Sequence, residues 1–428
     1  MLTNPLLLLG GASAAPGRDC LDQARARDLP VWLVDTPEHL AAVPELTERA
    51  AEVVELPFHD VAACTAWALD GGRRLPRFCG VYGFREQAVE SVAAVADALG
   101  LPGNGLPTAR LLRDKAACRE ALRERGFRQP PSARCQTEAE AVGFALAHPP
   151  GPWVIKPRQG QGSVGVTLVR DPAEVAQALE HIVASVRAFS RDAGLPEPAA
   201  GAAGFLIEGF QRGDEYSVEG VCVDGVPHVL AVTQKLTNGA PHFVEMGHSM
   251  PAELSPAREA AVSSTVRSAL TALAVRWGVF HVECWLDGTE VVIGEVHNRP
   301  GGGHIHTMTQ HITGVELHGA VFDQMLGRPV DTSGWRPGRG AAIRFLAPDP
   351  GRVMAITGWQ AASADPAVLI AHQGLAAGDV ICAASSYLDR TSYLVVTGET
   401  GRAAAATAAR LCATVSVEVD IDVVAVTA

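Results

Sequence analysis

No lysine- or arginine-rich run occurs in the 428 residues, and 47 acidic side chains outnumber 35 basic ones, for a formal charge of −12. A nucleic-acid binder normally presents a basic face, so this balance argues against DNA, RNA and anionic membranes as partners. No C-x-x-C pair occurs among the nine cysteines, which stand singly from Cys20 to Cys412. An odd, dispersed set reads as reduced thiols of a cytoplasmic protein and leaves no framework for structural zinc. No window approaches the ~20 apolar residues of a membrane span. The opening segment carries Leu6–Leu9 followed by small residues, but it lacks the basic residues and the apolar length of a signal peptide. It reads instead as a buried first strand turning at Gly10-Gly11. Aromatic residues make up only 5%, which excludes nothing, because a 47% hydrophobic content is ample for a large core. At roughly 150 residues per domain the length suggests about three domains.

Residues 1–105 alternate short apolar runs (Leu6–Leu9, Pro30–Val34, Ala51–Leu56, Phe78–Tyr82) with helical patterns, the last being Glu86–Leu99 stopped by Gly100. Strand–helix alternation implies a small parallel α/β layer. One helix is expected over Ala109–Arg125, and Thr137 with Glu140 forms a capping box for the next. Strands follow at Trp153–Pro157 and Val164–Val169. A flexible connection is expected over 190–204. Strands near Phe205–Glu208, Glu215–Val223 and Val229–Gln234 precede a helix over Pro256–Trp277. Two strands, Val279–Leu286 and Thr289–Val296, lead to a glycine-rich loop and a helix over Glu316–Met325. Residues 331–428 read as a separate block of short strands with an Ala-rich helix at Gly401–Cys412.

Three stretches carry the chemistry. In the first, Lys156 sits mid-strand in Trp-Val-Ile-Lys-Pro, ahead of Gly160, Gln161, Gly162, Ser163, Val164 and Gly165. A buried lysine is costly alone and is stabilised by an anion. Glycines let backbone N–H groups approach phosphate oxygens. The G-K-[ST] signature of a P-loop is absent, and a glycine-rich hairpin with a lysine at its edge explains the same letters. The second stretch is Glu208-Gly209-Phe210 followed by Glu215 and Glu219 at period two. The backbone beside Glu208 would suit adenine and Glu215 a ribose, although acidic residues on a solvated strand face look the same.

The third stretch runs from His281 through Glu283, Asp287-Gly288, Glu295, His297, Asn298 and Arg299 to Gly301-Gly302-Gly303. Asp-Gly marks a hairpin turn. Two carboxylates in a half-buried site repel one another, and a divalent cation relieves this. A two-residue turn would place Glu283 and Glu295 on opposite faces, whereas a three-residue turn, Asp287 to Thr289, pairs Glu283 with Ile293 and His281 with Glu295. Both carboxylates then lie on one face, about 7–8 Å apart. The three-residue turn is therefore expected. Two unrelated surface glutamates are the alternative. Arg299 beside the Gly301–Gly303 turn suits an oxyanion or a phosphoryl group.

In this order the motifs resemble the ATP-grasp superfamily: Lys115 in Arg-Asp-Lys, Lys156, the glycine-rich hairpin, Glu208, Glu215, Glu283, and Glu295 in E-x-H-x-R-x-G-G. Residues 331–428 resemble, more loosely, the C-terminal domain of the L-amino-acid ligase (carboxylate–amine ligase) branch. The resemblance implies a multidomain α/β and α+β protein with the ATP-grasp fold. Its parts would be a Rossmann-like preATP-grasp domain (1–105), one grasp subdomain with the hairpin (106–204), a second with the metal site (205–330), and a small α+β C-terminal domain (331–428). It implies ATP and magnesium (Mg2+) as cofactors, with manganese (Mn2+) as a substitute. Lys115, Lys156 and the residues Gly160–Val164 would hold phosphates. Glu208, Gly209 and Phe210 would hold adenine, and Glu215 the ribose. Glu283 and Glu295 would ligate metal. His297 stands where many members have Asn, and imidazole is a poor magnesium ligand.

Arg299, with Lys156 and Gly302, would be catalytic. The substrate pocket would draw on Gln234, Lys235, His242, Glu245, His248, Arg299, Gly303 and His304, with Gln234–Pro251 as a functional loop. The implied reaction activates a carboxylate, of an amino acid, as an acyl phosphate and passes it to an amine, giving an amide or dipeptide, ADP and phosphate. Small carboxylic acids and amines are then the partners, with a homodimer as the assembly. An enzyme using bicarbonate or formate and a non-catalytic ATP sensor are the alternatives.

Overall fold

A computed structural model describes residues 4–70, 75–196 and 204–421. The first layer is the expected parallel sheet, ordered Glu52–Glu55, Val31–Asp35, Leu6–Leu9, Gly80–Tyr82. Leu6, Leu7, Leu8 and Leu9 are all buried because helices cover both faces of this sheet. The helix Val89–Leu99 ends where Gly100 adopts φ +64°, a left-handed stop.

The helix expected over Ala109–Arg125 is two helices, Leu106–Arg113 and Lys115–Glu124. Asp114 breaks the run. Its φ/ψ is extended and its carboxylate accepts from the N–H groups of Ala116 and Ala117, capping the second helix. A four-stranded antiparallel sheet follows, ordered Ser132–Cys135, Phe205–Gly209, Trp153–Pro157, Thr167–Val169. The helix Val175–Asp192 runs into the stretch expected to be a connection, whose residues 197–203 lie outside those described.

The central sheet has eight strands, ordered Glu290–His297, Gly278–Asp287, Asp214–Val223, Val226–Thr237, Glu245–Met250, Gly340–Phe345, Tyr393–Gly398, Val368–His372. The last three come from the block read as separate, so this block continues the sheet rather than standing apart. Three short strands, Val380–Ile381, Gly351–Thr357 and Ser416–Asp420, form an outlying sheet. The helix Pro256–Ala272 packs Val262, Val266, Ala269 and Leu270 onto one face of the central sheet, against Val218, Val282 and Cys284. Period-two alternation turns Ser217, Glu219, Thr233, Lys235, His281 and Glu283 to the opposite face. All nine cysteines are free thiols, and among the described residues no helix is long and apolar enough to cross a membrane.

Candidate active site

The polar face of the central sheet meets the glycine-rich turn across a cavity of about 600 Å³, within the usual range of a small-molecule site. Its carboxylates are placed by the hairpin of Gly278–Asp287 and Glu290–His297. The expected three-residue turn is wrong. Asp287 pairs with Glu290, leaving a two-residue Gly288-Thr289 turn, and the register runs evenly to Cys284↔Ile293. It then slips to Val282↔Val296, so Gly294 and Glu295 together oppose Glu283. This β-bulge supplies the odd residue that the turn does not. A Cβ on Gly294 would run into the Trp285 ring, which is why glycine occupies the bulge. Past it, His281 pairs with His297 rather than with Glu295. Glu283, Glu295, His281 and His297 share one face, with the imidazole rings stacked 5.7 Å apart.

Each carboxylate is met by cations. Glu295 lies 2.9 Å from Lys115 Nζ and 3.3 Å from Lys156 Nζ. Burial works against its charge, but the two ammonium groups hold Glu295 well below the usual carboxylate range. Lys156 also reaches Glu208 at 2.9 Å. Glu208 is gripped on its other side by one edge, Nε and Nη2, of the buried Arg119 guanidinium, whose Nη1 donates to Gln129 Oε1 (2.7 Å) and the Ile293 carbonyl (3.0 Å). Lys235 Nζ lies among three carboxylates, Glu215 at 3.1 Å and Glu245 and Glu283 at 2.6 Å each. Burial pushes Glu215 up to about 7. Against the same burial, Lys235 holds Glu245 at about 2 and keeps Glu283 ionised. His281 is raised to about 9, because Glu219, buried beside it at 2.9 Å, outweighs the burial.

One ammonium among three carboxylates leaves surplus negative charge, and hard oxygen donors on one face suit a magnesium ion. Glu283 and Glu295 therefore fit a divalent cation in chemistry and in facing. Among the described residues, however, no group of three His, Cys, Asp or Glu side chains is already converged as a ligand set. His297 directs Nδ1 to Glu86 Oε2 (3.0 Å) and Nε2 to Glu295 Oε2 (3.4 Å), an arrangement that orients Glu295.

Residues 150–308 match the ATP-grasp domain and residues 344–420 match L-amino acid ligase C-terminal domain 2. The chain carries an ATP-grasp domain and resembles the L-amino acid ligases. It is 29% identical over 361 residues to an uncharacterized protein, y4rH, of Sinorhizobium fredii (83% of this chain, 72% of that one). It is 28% identical over 321 residues to carnosine synthase 1 of Mus musculus, covering 73% of this chain but only 38% of that longer protein. The L-amino acid ligase from Bacillus licheniformis shares the fold, with a TM-score of 0.76 at 24% identity over 98% of this chain and 99% of that one.

In the ATP-grasp domain, the glycine-rich turn is held from both sides. Lys115 Nζ donates to the Gly160 carbonyl at 3.0 Å, and Arg158 pairs with Asp114. Gly162 and Ser163 take φ of +61° and +60°, and Ser163 Oγ donates to the Phe243 carbonyl. Gln161 and Val164 line the cavity with them. The N–H groups of Gly209 and Phe210 donate to Pro131 and Pro152 carbonyls, so both are engaged in the sheet. The Phe210 ring stacks on Phe243, 5.6 Å away, along the cavity wall.

The expected functional loop Gln234–Pro251 is mostly strand, because Val226–Thr237 and Glu245–Met250 pair with each other. Alternation sends Gln234 to the face opposite Lys235, and Gln234 does not line the cavity. His242 clasps the Val166 carbonyl at 2.9 Å and stacks on His181, His304 bonds to Tyr393 Oη at 2.8 Å, and His248 is buried under Gly303. None of these three histidines lines the cavity, whereas Arg299, Gly302 and Gly303 do.

Four residues escaped the sequence. Glu86 joins Arg299, His297 and Arg113 at the carboxyl end of a parallel strand, a place where open α/β sheets bind ligands. That position was the available signal. Arg119 lies on a helix with no motif, and Tyr387 and Arg390 reach the cavity from the C-terminal block.

Proposed function

We propose that the protein is a ligase that activates the carboxylate of an amino acid with ATP, as an acyl phosphate, and joins it to an amine with release of ADP and phosphate. The reading rests above all on the meeting of Lys115, Lys156 and Arg299 with Glu283 and Glu295 around one cavity. Lys115 and Lys156 pair with Glu295, and Lys235 pairs with Glu283; the phosphates of a nucleotide with their divalent ions would offer these groups replacement partners.

In this reading Lys115, Lys156 and the N–H groups of Gly160–Val164 bind the phosphates. Glu283 and Glu295 hold magnesium, which when bound neutralises charge on the transferring phosphoryl group. Arg299, fixed by Glu86 and the Pro300 carbonyl (2.8 Å), keeps a rigid guanidinium for the oxygen that becomes anionic at the carbonyl carbon. Lys235 keeps Glu283 and Glu245 ionised. Phe210, Phe243 and the glycine-rich turn exclude water, which protects an acyl phosphate from hydrolysis. The match to an L-amino acid ligase domain and the likeness to carnosine synthase 1 support amino acids as the substrate class.

A phosphate-release screen over pairs of amino acids, with mass spectrometry of the products, tests the reading. An amide or dipeptide formed with equal ADP is the expected result. Turnover with bicarbonate or formate but with no amino-acid pair would overturn it, as would ATP binding without ADP release from any acid and amine.

A further inference from the structure

Arg390 belongs to no motif and comes from the C-terminal block, yet it lines the cavity. Its backbone follows a short turn, Tyr387–Asp389, made rigid by a reciprocal cap. Ser386 accepts from the Leu388 N–H, while Asp389 Oδ2 accepts from the N–H groups of Ser385 (2.8 Å) and Ser386 (2.9 Å). The same turn is docked on the glycine-rich loop. The Tyr387 N–H donates to the Gly162 carbonyl at 3.0 Å, and the Tyr387 ring covers Gly162 so closely that a Cβ there would collide with it.

The guanidinium of Arg390 is buried, its side chain 7% exposed, and lies over the Phe345 ring at 4.4 Å, so its plane is fixed and its edges are left for hydrogen bonds. One edge is used, since Nη1 donates to the Glu245 carbonyl oxygen at 2.7 Å. The Glu245 carboxylate stays 3.7 Å away and is committed to Lys235. Nε is buried and has no partner among the described residues. A buried, unsatisfied guanidinium N–H is expensive unless a ligand completes it, and the Nε edge of an arginine is shaped for the two oxygens of a carboxylate.

We infer that Arg390 reads a carboxylate that is not the one being activated, namely the free carboxylate of the amino acid that supplies the amine. This rests on the proposed ligase reading and deepens it, because a ligase of two amino acids needs a way to tell the acceptor's spectator carboxylate from the donor's reacting one. A cation delivered by the C-terminal block supplies that distinction. Arg299 serves the reacting carbonyl from the end of the hairpin, and Arg390 serves the spectator group from the C-terminal block. The acceptor class is therefore free amino acids rather than simple amines or amino-acid amides.

A terminal phosphate of the nucleotide presents the same kind of anionic oxygens, so the test must separate the two sources. The wild-type enzyme is first assayed for ADP release on amino-acid pairs. Silence there defeats the ligase reading itself, an outcome distinct from any loss of acceptor preference. For a productive pair, kcat/KM is then compared for the free amino-acid acceptor and its C-terminal amide, in wild type, Arg390→Met and Arg390→Lys, with melting curves to show that each variant is folded.

The wild type should prefer the free acid by at least about tenfold. Arg390→Met should raise KM for the acid until acid and amide are used alike, with KM for ATP held. Arg390→Lys, which keeps the charge but not the fork, should fall between. Preference for the acid surviving intact in folded Arg390→Met would overturn the inference. So would a rise in KM for ATP with acceptor preference kept, which would assign the guanidinium to phosphate. If Arg390→Met does not fold, Arg390→Lys decides by the same criterion.

Discussion

Replacing Arg119 with leucine isolates the ion network behind the phosphate-binding lysine. Arg119 is 2% exposed and donates from two nitrogens to Glu208, whose other cationic partner among the described residues is Lys156. Leucine fills much of the volume but strands the Gln129 oxygen and half of the Glu208 charge, while the Ile293 carbonyl keeps the Gln129 Nε2 donor (3.1 Å). Removing one member of a buried pair typically costs about 3–5 kcal/mol, and because Lys156 remains beside Glu208 the lower end is expected. The same charges fix a sign with pH. Arg119 and Lys156 outweigh burial and hold Glu208 below its ordinary value. The stability this gives is present above the unfolded carboxylate pKa near 4.3 and is lost as pH falls through the folded value. In Arg119→Leu that acid-labile part should shrink. Urea titrations of the wild type, Arg119→Leu, Glu208→Leu and the double variant measure the coupling directly. The double variant should recover most of the loss, since it buries no unpaired charge. A single-variant cost below about 1 kcal/mol, or strictly additive losses, would show that Glu208 does not depend on Arg119.

Glu295→Ala should lower ADP release by about a thousandfold or more while urea unfolding stays cooperative, since a transition-state charge loses its counter-ion; near-normal turnover would remove Glu295 from the chemistry. Gly294→Val should cost about 1–3 kcal/mol by overpacking against Trp285, and should lose ADP release at the same time because the bulge that turns Glu295 inward is lost; a stable, active variant would show that the bulge is not what sets the face. His318 is buried against Tyr82 Oη (2.7 Å), and burial lowers it to about 3. It stays neutral in the fold while the unfolded chain takes up a proton below about 6.5, so stability should fall with pH below that point by up to about 1.4 kcal/mol per unit. His318→Gln should flatten this slope, and an unchanged pH dependence of the urea midpoint would disprove it.

What the sequence disclosed and what it hid divide along a physical line. The strand pattern, the capping box at Thr137 and the left-handed stop at Gly100 depend on neighbours a few residues apart, and all were legible. The break at Asp114 is also local but does not announce itself, because an aspartate inside an otherwise helical run signals a cap only when the chain actually turns there. The hairpin shows the next level. Glu283 and Glu295 do share a face, but the expected mechanism, an odd turn, is replaced by an even turn and a bulge. Both routes add one residue, and the letters Ile-Gly-Glu carried the choice, since only glycine leaves room for Trp285. Gln234 is misplaced when a segment whose strand partner lies in Glu245–Met250 is read as loop. Glu86, Arg119, Tyr387 and Arg390 reach the site from segments distant in sequence, and no local pattern encodes such meetings.

The charges lining the cavity explain why so polar a site can exist before any ligand arrives. Five lysine and arginine side chains (Lys115, Lys156, Lys235, Arg299, Arg390), His281 with its raised pKa, and six carboxylates (Glu208, Asp214, Glu215, Glu245, Glu283, Glu295) line it among the described residues. Each buried charge is costly alone, and the pairs seen here offset that cost only through short contacts. A nucleotide with its divalent ions also brings balanced charge, so it can exchange partners with these pairs without changing the net charge of the cavity. The lysines then meet phosphate oxygens, and the glutamates meet cations. Such an exchange is selective by construction. Phosphates alone would draw both lysines away from Glu295, and metal alone would leave Lys115 without its carboxylate, so binding of either should be weak without the other. Isothermal titration of ATP with and without magnesium measures this coupling, and equal affinity in both conditions would contradict it.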